Sequence, residues 1–416
     1  MNPTKEAALM MSSLSIYSGI LNRSVPKAYY ELLCSINKPV FEFCCAWGNF
    51  FALLCERGYA DNLAGCITET ALFDENAFSR AASSKKEKSL PTQVISAIRR
   101  DLSAIRRASL LSPQTILNDY TYRDELGVVA NSLPRWDNGR PIKEFLHEDD
   151  IIDELADFYR QNGCGMFARY KAFIWRNKSI EPVVHPDNVD ISMLKGYSIP
   201  RKLVEDNTLA FLNGVQSNNC LLYGDRGTGK SSTVKAMLNT YYKKGLRMVE
   251  IPKDRLSEFP LLVEKIAEIP LKFIIFIDDL SFPAEDKSYA QLKAVLEGGL
   301  AVRPENALIY ATSNRRHIIR ESFSDREGDD IHRNDTIQEN LSLSDRFGLS
   351  VCFTKPDKNE YIDIIMALAK DERLNIGIDE LTKGAEKFAI ERGGRSPRCA
   401  KQYISSLRAD IKINKS

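Results

Sequence analysis

The stretch that decides the fold lies just past the middle of the chain, where residues 220–231 are CLLYGDRGTGKS. Its last eight residues, 224–231, fit the pattern Gly-x-x-x-x-Gly-Lys-Ser/Thr in full. The apolar run before them predicts a strand, and residues 231–244 have a helical periodicity that ends at Gly245, a residue suited to a left-handed helix cap. The pattern therefore lies in the strand, loop and helix setting that a phosphate-binding loop requires.

A loop of this composition suits a nucleoside triphosphate. Phosphate oxygens need many donors at short range, and glycine lets consecutive backbone N–H groups approach them. Lys230 supplies a mobile cation for the β and γ phosphates, and the Ser231 hydroxyl can coordinate Mg²⁺. We therefore predict ATP and Mg²⁺ as ligands; the alternative is a glycine-rich turn that only joins a strand to a helix. The predicted nucleotide-binding residues of the loop are Gly224, Asp225, Arg226, Gly227, Thr228, Gly229, Lys230, Ser231 and Ser232.

Two carboxylates, Asp278 and Asp279, follow a second apolar strand predicted over residues 273–277. They would lie at the carboxyl edge of the sheet, beside the loop. This is the form of a Walker B element, in which Asp278 would hold Mg²⁺ directly or through water, together with Ser231. Asp279 would orient or deprotonate the attacking water. Alternatively, one aspartate caps the turn that follows.

A polar residue also follows the strand predicted over residues 307–312. The Asn314 amide there is expected to contact the γ phosphate or the attacking water, and the alternative is an ordinary turn asparagine. Residues 315–317 are interpreted as a solvated loop, with no catalytic role for His317.

Apolar periodicity divides the chain into a helical half and an α/β half. Helices are predicted over residues 28–36, 40–57, 70–82, 93–111 and 149–175, and a polar, proline-containing linker over residues 177–200. Parallel strands with helical crossovers are predicted over residues 219–223, 247–251, 273–277, 307–312 and 349–353, followed by helices after Pro356. We therefore predict a mostly α-helical domain at 1–185, a nucleotide-binding α/β core at 186–355 and a helical subdomain at 356–416.

Composition is that of a globular chain of several domains. The 416 residues are 27% charged and 44% hydrophobic. The net charge of +1 does not by itself indicate binding to nucleic acid. Nine scattered cysteines without a Cys-x-x-Cys pair predict free thiols in a reducing cytoplasm. The first residues do not have the form of a signal peptide, and the most apolar window, 43–55, is too short to span a bilayer. We expect a buried helix there and no membrane partner.

The order of these motifs resembles the AAA+ superfamily of P-loop ATPases. More closely, the chain is similar over about residues 185–410 to a bacterial family known as domain of unknown function 815. The similarity is carried by LKGY at 194–197, GDRGTGKSS at 224–232, DDLSF at 278–282, LEGGL at 296–300, ATSNRRH at 311–317 and SLSDRFG at 342–348.

The resemblance implies a five-stranded sheet, a C-terminal helical lid and several further site residues. Arg346 would be an arginine finger that reaches the γ phosphate held by a neighbouring subunit, which implies a homo-oligomer; alternatively it forms a salt bridge with Asp345 or Glu339. Arg395, or Arg398 one turn later, would contact the nucleotide from the lid. Gly196 and Tyr197 match the segment over the adenine. The Asp-Asp pair departs from the Asp-Glu of many AAA+ proteins, and its shorter second carboxylate predicts hydrolysis that is slow or needs a partner.

Three functions follow as hypotheses. The leading one is an ATPase that hydrolyses ATP to ADP and phosphate to switch or remodel a protein client chosen by the helical N-terminal domain. The second is an ATP-dependent loader or scaffold on DNA, suggested by the Asp-Asp pair and by an arginine stripe at residues 99, 100, 106 and 107, which is alternatively a solvated helix face. The third, a small-molecule kinase, is disfavoured by the arginine before the fifth strand and the long helical C-terminus.

Overall fold

The computed structural model describes residues 2–280, 292, 296, 304–314 and 346–413. The predicted features at residues 281–282, 297–300, 315–317, 339 and 342–345 lie outside the described residues. Contacts between Cα atoms divide the chain into two units, Met1–Arg169 and Tyr170–Ser416.

In the described residues of the first unit, the regular secondary structure is helical, as its apolar periodicity predicts. They are α1 (Pro3–Ser12), α2 (Ser24–Cys34), α3 (Val40–Glu56), α4 (Leu63–Leu72), α5 (Ala77–Ser83), α6 (Thr92–Ser109), α7 (Pro113–Asp119), α8 (Val129–Ser132), α9 (Ile151–Asn162) and α10 (Gly165–Arg169).

The apolar window at 43–55 is helical and lies within α3, but only one face of the helix is buried, whereas a buried helix was predicted. Phe43, Trp47, Phe50 and Leu54 recur at helical spacing and are fully buried. Trp136 packs on this face, with its ring centroid 4.9 Å from that of Trp47 and 4.8 Å from that of Phe50. Within the described residues, we find no helix that combines the length and apolarity needed to cross a membrane.

The prediction of one helix over residues 70–82 is wrong, because this stretch contains the end of one helix and most of another. α4 ends at Leu72, and Asn76 starts α5 by accepting hydrogen bonds from the N–H groups of Phe78 and Ser79 at 3.0 Å. The Ser79 hydroxyl accepts in return from the Asn76 N–H at 2.8 Å. This reciprocal cap stabilises a new helix start, which hydrophobic periodicity alone does not detect.

The second unit is built on a seven-stranded sheet with the order β2-β1-β4-β5-β6-β3-β7. The strands are β1 (Ala172–Arg176), β2 (Ser179–Pro182), β3 (Cys220–Gly224), β4 (Leu246–Glu250), β5 (Lys272–Ile277), β6 (Ala307–Ser313) and β7 (Leu349–Phe353). The five predicted strands are confirmed within one or two residues. All pairs are parallel except β1 with β2.

The other two strands correct the prediction around residue 175. The helix predicted over residues 149–175 ends earlier: Gly163, with φ of +74°, ends α9, and residues 172–176 form β1, which pairs with β4. Phe173 and Trp175 are buried in this strand, and the Trp175 indole N–H donates to Glu258 at 2.7 Å. The start of the predicted linker is therefore sheet, and residues from Tyr170 onward belong to the second unit, about 15 residues before the expected boundary at 185.

Helices cover the sheet and form a separate C-terminal cluster. They are α11 (Ser198–Leu212), α12 (Lys230–Tyr241), α13 (Phe259–Ala267), α14 (Lys358–Asp371), α15 (Ile378–Glu391) and α16 (Pro397–Ile413). The last three pack around a core of their own that includes Tyr361, Leu381 and Ala400. The predicted fold class is confirmed: a P-loop α/β core of the AAA+ type with a helical lid, preceded by a helical domain.

Strand order decides which loops meet. β6 lies between β5 and β3, with Ile277 level with Ala311, and Leu222 level with Thr312. The loops that follow these three parallel strands therefore leave the same edge of the sheet side by side.

Candidate nucleotide-binding site

The loop between β3 and α12 has the backbone that a phosphate cradle needs. Gly224, Gly227 and Gly229 have φ of +125°, +77° and +92°, a region in which side chains are strained. A Cβ at Gly224 would lie 2.3 Å from the Phe353 carbonyl oxygen. In the described part of the chain, the N–H groups of Gly227 and Gly229 make no backbone hydrogen bond. They remain donors for an anion at the start of α12.

Other residues of the loop hold its shape. The Asp225 N–H donates to the Phe353 carbonyl at 2.9 Å, and the Asp225 carboxylate accepts from the Lys355 N–H at 2.8 Å. The Thr228 hydroxyl donates to the Asp225 carbonyl at 2.9 Å. Asp225 and Thr228 thus anchor the loop. Arg226 is exposed and Ser232 is partly exposed.

Lys230 points into the loop and is only 6% exposed. Its ammonium donates to the carbonyls of Gly224 at 3.0 Å and Asp225 at 2.6 Å, and to Asn314 Oδ1 at 3.1 Å. Burial lowers the pKa of this ammonium, while the carboxylates of three nearby aspartates oppose the shift. Because two of its three acceptors are neutral carbonyls, phosphate oxygens are stronger partners for the same donors.

Hydroxyl and carboxylate oxygens lie close together at the predicted Mg²⁺ site. The Ser231 and Thr312 hydroxyls both donate to Asp278 Oδ1, at 2.6 Å and 2.5 Å. These are the hard oxygen ligands that Mg²⁺ prefers, so Ser231 and Asp278 fit the ion. The described residues contain no group of three or more His, Cys, Asp or Glu that could hold a metal. At sites with one or two protein carboxylates, Mg²⁺ usually takes further ligands from phosphate and water.

Asp279 and Asn314, two of the predicted site residues, contact each other. Asn314 Nδ2 donates to Asp279 Oδ1 at 2.6 Å, while Asn314 Oδ1 accepts from Lys230. Asp279 has φ of +51°, and its N–H donates to the Thr312 hydroxyl at 3.0 Å. A non-glycine residue in this region needs such support. Thr312 was not predicted as a site residue; its position near the end of β6, two residues before Asn314, was the available clue.

Gly196 and Tyr197 lie against the turn that anchors the loop. The Tyr197 ring stacks on Phe353 with centroids 5.4 Å apart, and its hydroxyl donates to the Thr354 carbonyl at 2.6 Å. Gly196 has φ of +70°, and a Cβ there would lie 2.8 Å from Ile364 of the lid. The segment is therefore beside the loop, between core and lid.

Of the two arginines predicted to contact the nucleotide from the lid, Arg395 and Arg398, it is Arg398 that lies at the loop. The backbone N–H of Arg398 donates to the Gly227 carbonyl at 3.1 Å, and the charge of the Arg398 side chain contributes to lowering the pKa of Lys230. Arg395 instead makes a two-pronged ion pair with Glu386, at 3.0 Å and 2.7 Å.

Arg346 is not brought to this site. It precedes β7, whose first residue, Leu349, is level with Cys220 at the start of β3. The loop follows the other end of these strands, and a five-residue strand is about 15 Å long. Arg346 and the loop are thus at opposite edges of the sheet.

One acidic residue at the same edge as Asp278 was missed. Glu250 ends β4 directly after a buried run, which is the pattern that singled out Asp278. Burial raises the pKa of the Glu250 carboxyl; the Asp278 charge adds to the rise, and the Lys235 charge opposes it.

A family profile described as a protein of unknown function, DUF815, matches residues 168–411. The chain belongs to the DUF815 family. The match begins close to the start of the second unit and ends within α16, so it contains the whole site. The DUF815 match and the architecture confirm the resemblance drawn from the sequence. No curated protein matches the chain closely enough to count as a relative.

Solved structures similar to this DUF815 protein include the Thermotoga maritima RuvB Holliday junction branch migration motor. It is 14% identical, with a TM-score of 0.38 over 55% of this chain and 67% of that chain. Two single-residue variants of the same protein match at 16% identity, with TM-scores of 0.39 and 0.37 over 67% of their length and 55% and 56% of this chain.

Proposed function

We propose that this DUF815 protein is an ATPase that hydrolyses ATP to ADP and phosphate with Mg²⁺. The observation that carries the proposal is the continuous set of contacts from the loop to the two neighbouring strand ends. Lys230 contacts Asn314, which contacts Asp279, and Ser231 contacts Asp278. One phosphate-binding cation, one pair of hard oxygen ligands and one carboxylate for water therefore meet at one edge of the sheet.

Each of these groups has a defined task in the proposed reaction. The glycine N–H groups and the Lys230 ammonium bind the phosphates. Mg²⁺ supplies charge neutralisation for the phosphate oxygens when it is held by Ser231 and Asp278. Asp279 orients the attacking water and accepts its proton, and the Asn314 amide keeps that carboxylate in place.

The position of Arg346 supports an oligomer. An arginine at the opposite edge of the sheet from its own loop cannot stabilise charge on the phosphates of the same chain. It can do so only for a nucleotide held by another subunit, where the planar fork of donors would neutralise the transferred phosphoryl group. The resemblance to AAA+ proteins points to the same role.

Replacing Arg346 tests both the activity and the assembly. We expect Arg346→Ala to lower ATP turnover about 1,000-fold, the lower range for an arginine finger, and to leave ATP affinity unchanged. Wild-type turnover per chain should rise with protein concentration. Steady-state ATPase assays across a concentration series measure both. Arg346→Lys keeps the charge without the fork and should recover little activity. A fully active monomer would refute the trans site.

The lid arginines provide a matched pair of variants. The Arg398 side-chain charge acts on Lys230 in the loop, whereas Arg395 is engaged by Glu386. We therefore expect Arg398→Ala to weaken ATP binding about tenfold, because the loss of one charge-assisted contact is about 1.4 kcal/mol or more, and Arg395→Ala to change it less than threefold. Titration with a fluorescent ATP analogue measures both. The reverse order would assign the role to Arg395, as first predicted.

Switching or remodelling of a protein client by the helical N-terminal unit, in the cytoplasm, stays part of this proposal. The DNA alternative loses its main local support, because three arginines of the stripe have internal partners. Arg100 pairs with Asp101 at 3.1 Å, Arg106 with Glu148 at 3.3 Å, and Arg107 with Glu6 at 4.0 Å. Salt-dependent stimulation of turnover by DNA would restore that alternative.

A further inference from the structure

A third carboxylate lies next to the proposed Mg²⁺ ligands, on the neighbouring strand. Glu250 is level with Phe276 of β5, two residues before Asp278. Paired residues of neighbouring strands share a face, as do residues two apart along one strand. Glu250 therefore lies on the face that carries Phe276, at the edge where the site is.

This face is the one that α12 covers. Met248, two residues before Glu250, and Phe276 both pack in the core with Val234 and Met237 of that helix. Ser231 and Lys235 are one turn apart on α12. Ser231 binds Asp278, and Lys235 is close enough for its charge to act on Glu250.

The Glu250 carboxylate has no protein partner where the structure is described. No N–H or O–H group of the described residues donates to it, and Lys235 is too far away for an ion pair. Glu250 is nonetheless partly buried. A partly buried carboxylate is stabilised by hydrogen bonds from water, and the end of β4 lies at the same sheet edge as Asp278.

From these positions we infer that Glu250 is a positioning residue of the Mg²⁺ site, whose carboxylate accepts hydrogen bonds from water molecules bound to the ion. The inference rests on the proposed function. Mg²⁺ usually keeps several waters and takes only one or two carboxylates from the protein. Ser231 and Asp278 leave such waters to be oriented, and carboxylates outside the ligand set commonly do this.

The competing role for Glu250 is to balance the charge of Lys235. The two roles predict different effects of a Glu250 substitution on the Mg²⁺ dependence of nucleotide binding. A positioning residue changes the Mg²⁺ concentration that nucleotide binding requires, whereas a charge partner of Lys235 changes stability alone.

Glu250→Gln tests the inference, with Lys235→Met as the matched control. We expect the half-saturating concentration of free Mg²⁺ for binding of a fluorescent ATP analogue to rise about tenfold or more in Glu250→Gln. Binding in EDTA should equal that of the wild type. Lys235→Met should keep the wild-type Mg²⁺ midpoint, even if its melting temperature changes.

A wild-type Mg²⁺ midpoint in Glu250→Gln would overturn the inference, as would an equal shift in Lys235→Met. If Glu250→Gln does not fold, Glu250→Asp withdraws the carboxylate by one methylene and should also raise the midpoint; an unchanged midpoint there is equally contrary. If the wild-type protein binds the analogue without any dependence on Mg²⁺, the proposed function itself fails.

Discussion

Lys230→Ala is expected to weaken ATP binding by about 100-fold or more, which is about 2.8 kcal/mol. The ammonium is buried within the loop, and its acceptors there are two carbonyls and one amide oxygen. Replacing it removes the charge-assisted hydrogen bonds to the phosphates, for which no other described residue of the loop substitutes. Equilibrium titration with a fluorescent ATP analogue measures the loss directly.

Thermal unfolding gives a second readout of the same loss. ATP at 100 times its wild-type Kd should stabilise the wild-type protein by about 2.7 kcal/mol, and a variant with a 100-fold higher Kd by only about 0.4 kcal/mol. Lys243→Ala is the control, since Lys243 is exposed in the turn after the same helix. Equal ATP stabilisation of Lys230→Ala and wild type would show that the loop does not hold the nucleotide.

Asp279→Asn should lower turnover by about 10² to 10⁴ while ATP affinity stays within about threefold of wild type. The amide has the shape of the carboxylate and keeps an oxygen for the Asn314 contact, but it cannot accept a proton from water. Single-turnover assays with saturating protein measure the chemical step, and titration measures binding.

Asp278→Asn provides the contrast for this variant. Asp278 accepts from Ser231 and Thr312 and is the proposed Mg²⁺ ligand, so its replacement should reduce Mg²⁺-dependent affinity as well as turnover. Full turnover in Asp279→Asn would place the proton acceptor elsewhere. Asp279→Glu lengthens the side chain toward the Asp-Glu form of many AAA+ proteins and tests whether the shorter carboxylate limits the rate.

Local patterns predicted the elements that are continuous in sequence. The five core strands are continuous apolar runs, and the loop is one uninterrupted motif, so each is encoded by neighbouring residues. The predictions that failed involve residues 70–82 and 172–182. In the first, a side-chain cap interrupts an apolar pattern that would suit one helix. In the second, a short strand is stabilised by pairing with β4, about 75 residues away along the chain.

In the site, too, residue types were predictable from the sequence, whereas contacts between residues were not. The residue types of Lys230, Ser231, Asp278 and Asp279 predicted phosphate and Mg²⁺ as ligands, because the chemistry of these ligands favours such groups wherever they lie. Tertiary structure decided which partners they have. The insertion of β6 between β3 and β5 places Asn314 and Thr312 between the loop and the two aspartates.

By itself, the sequence determined that this protein has a P-loop core with a helical lid and the chemical groups for ATP and Mg²⁺. Only the tertiary structure decided that Arg398 rather than Arg395 lies at the loop, that Arg346 is at the far edge of the sheet, and that Glu250 is beside Asp278. The physical reason is the separation along the chain of the residues that interact. A strand, a cap or a loop is determined by residues a few positions apart, whereas these placements depend on strand order, on the packing of α12 against the sheet and on the contact of α16 with the loop.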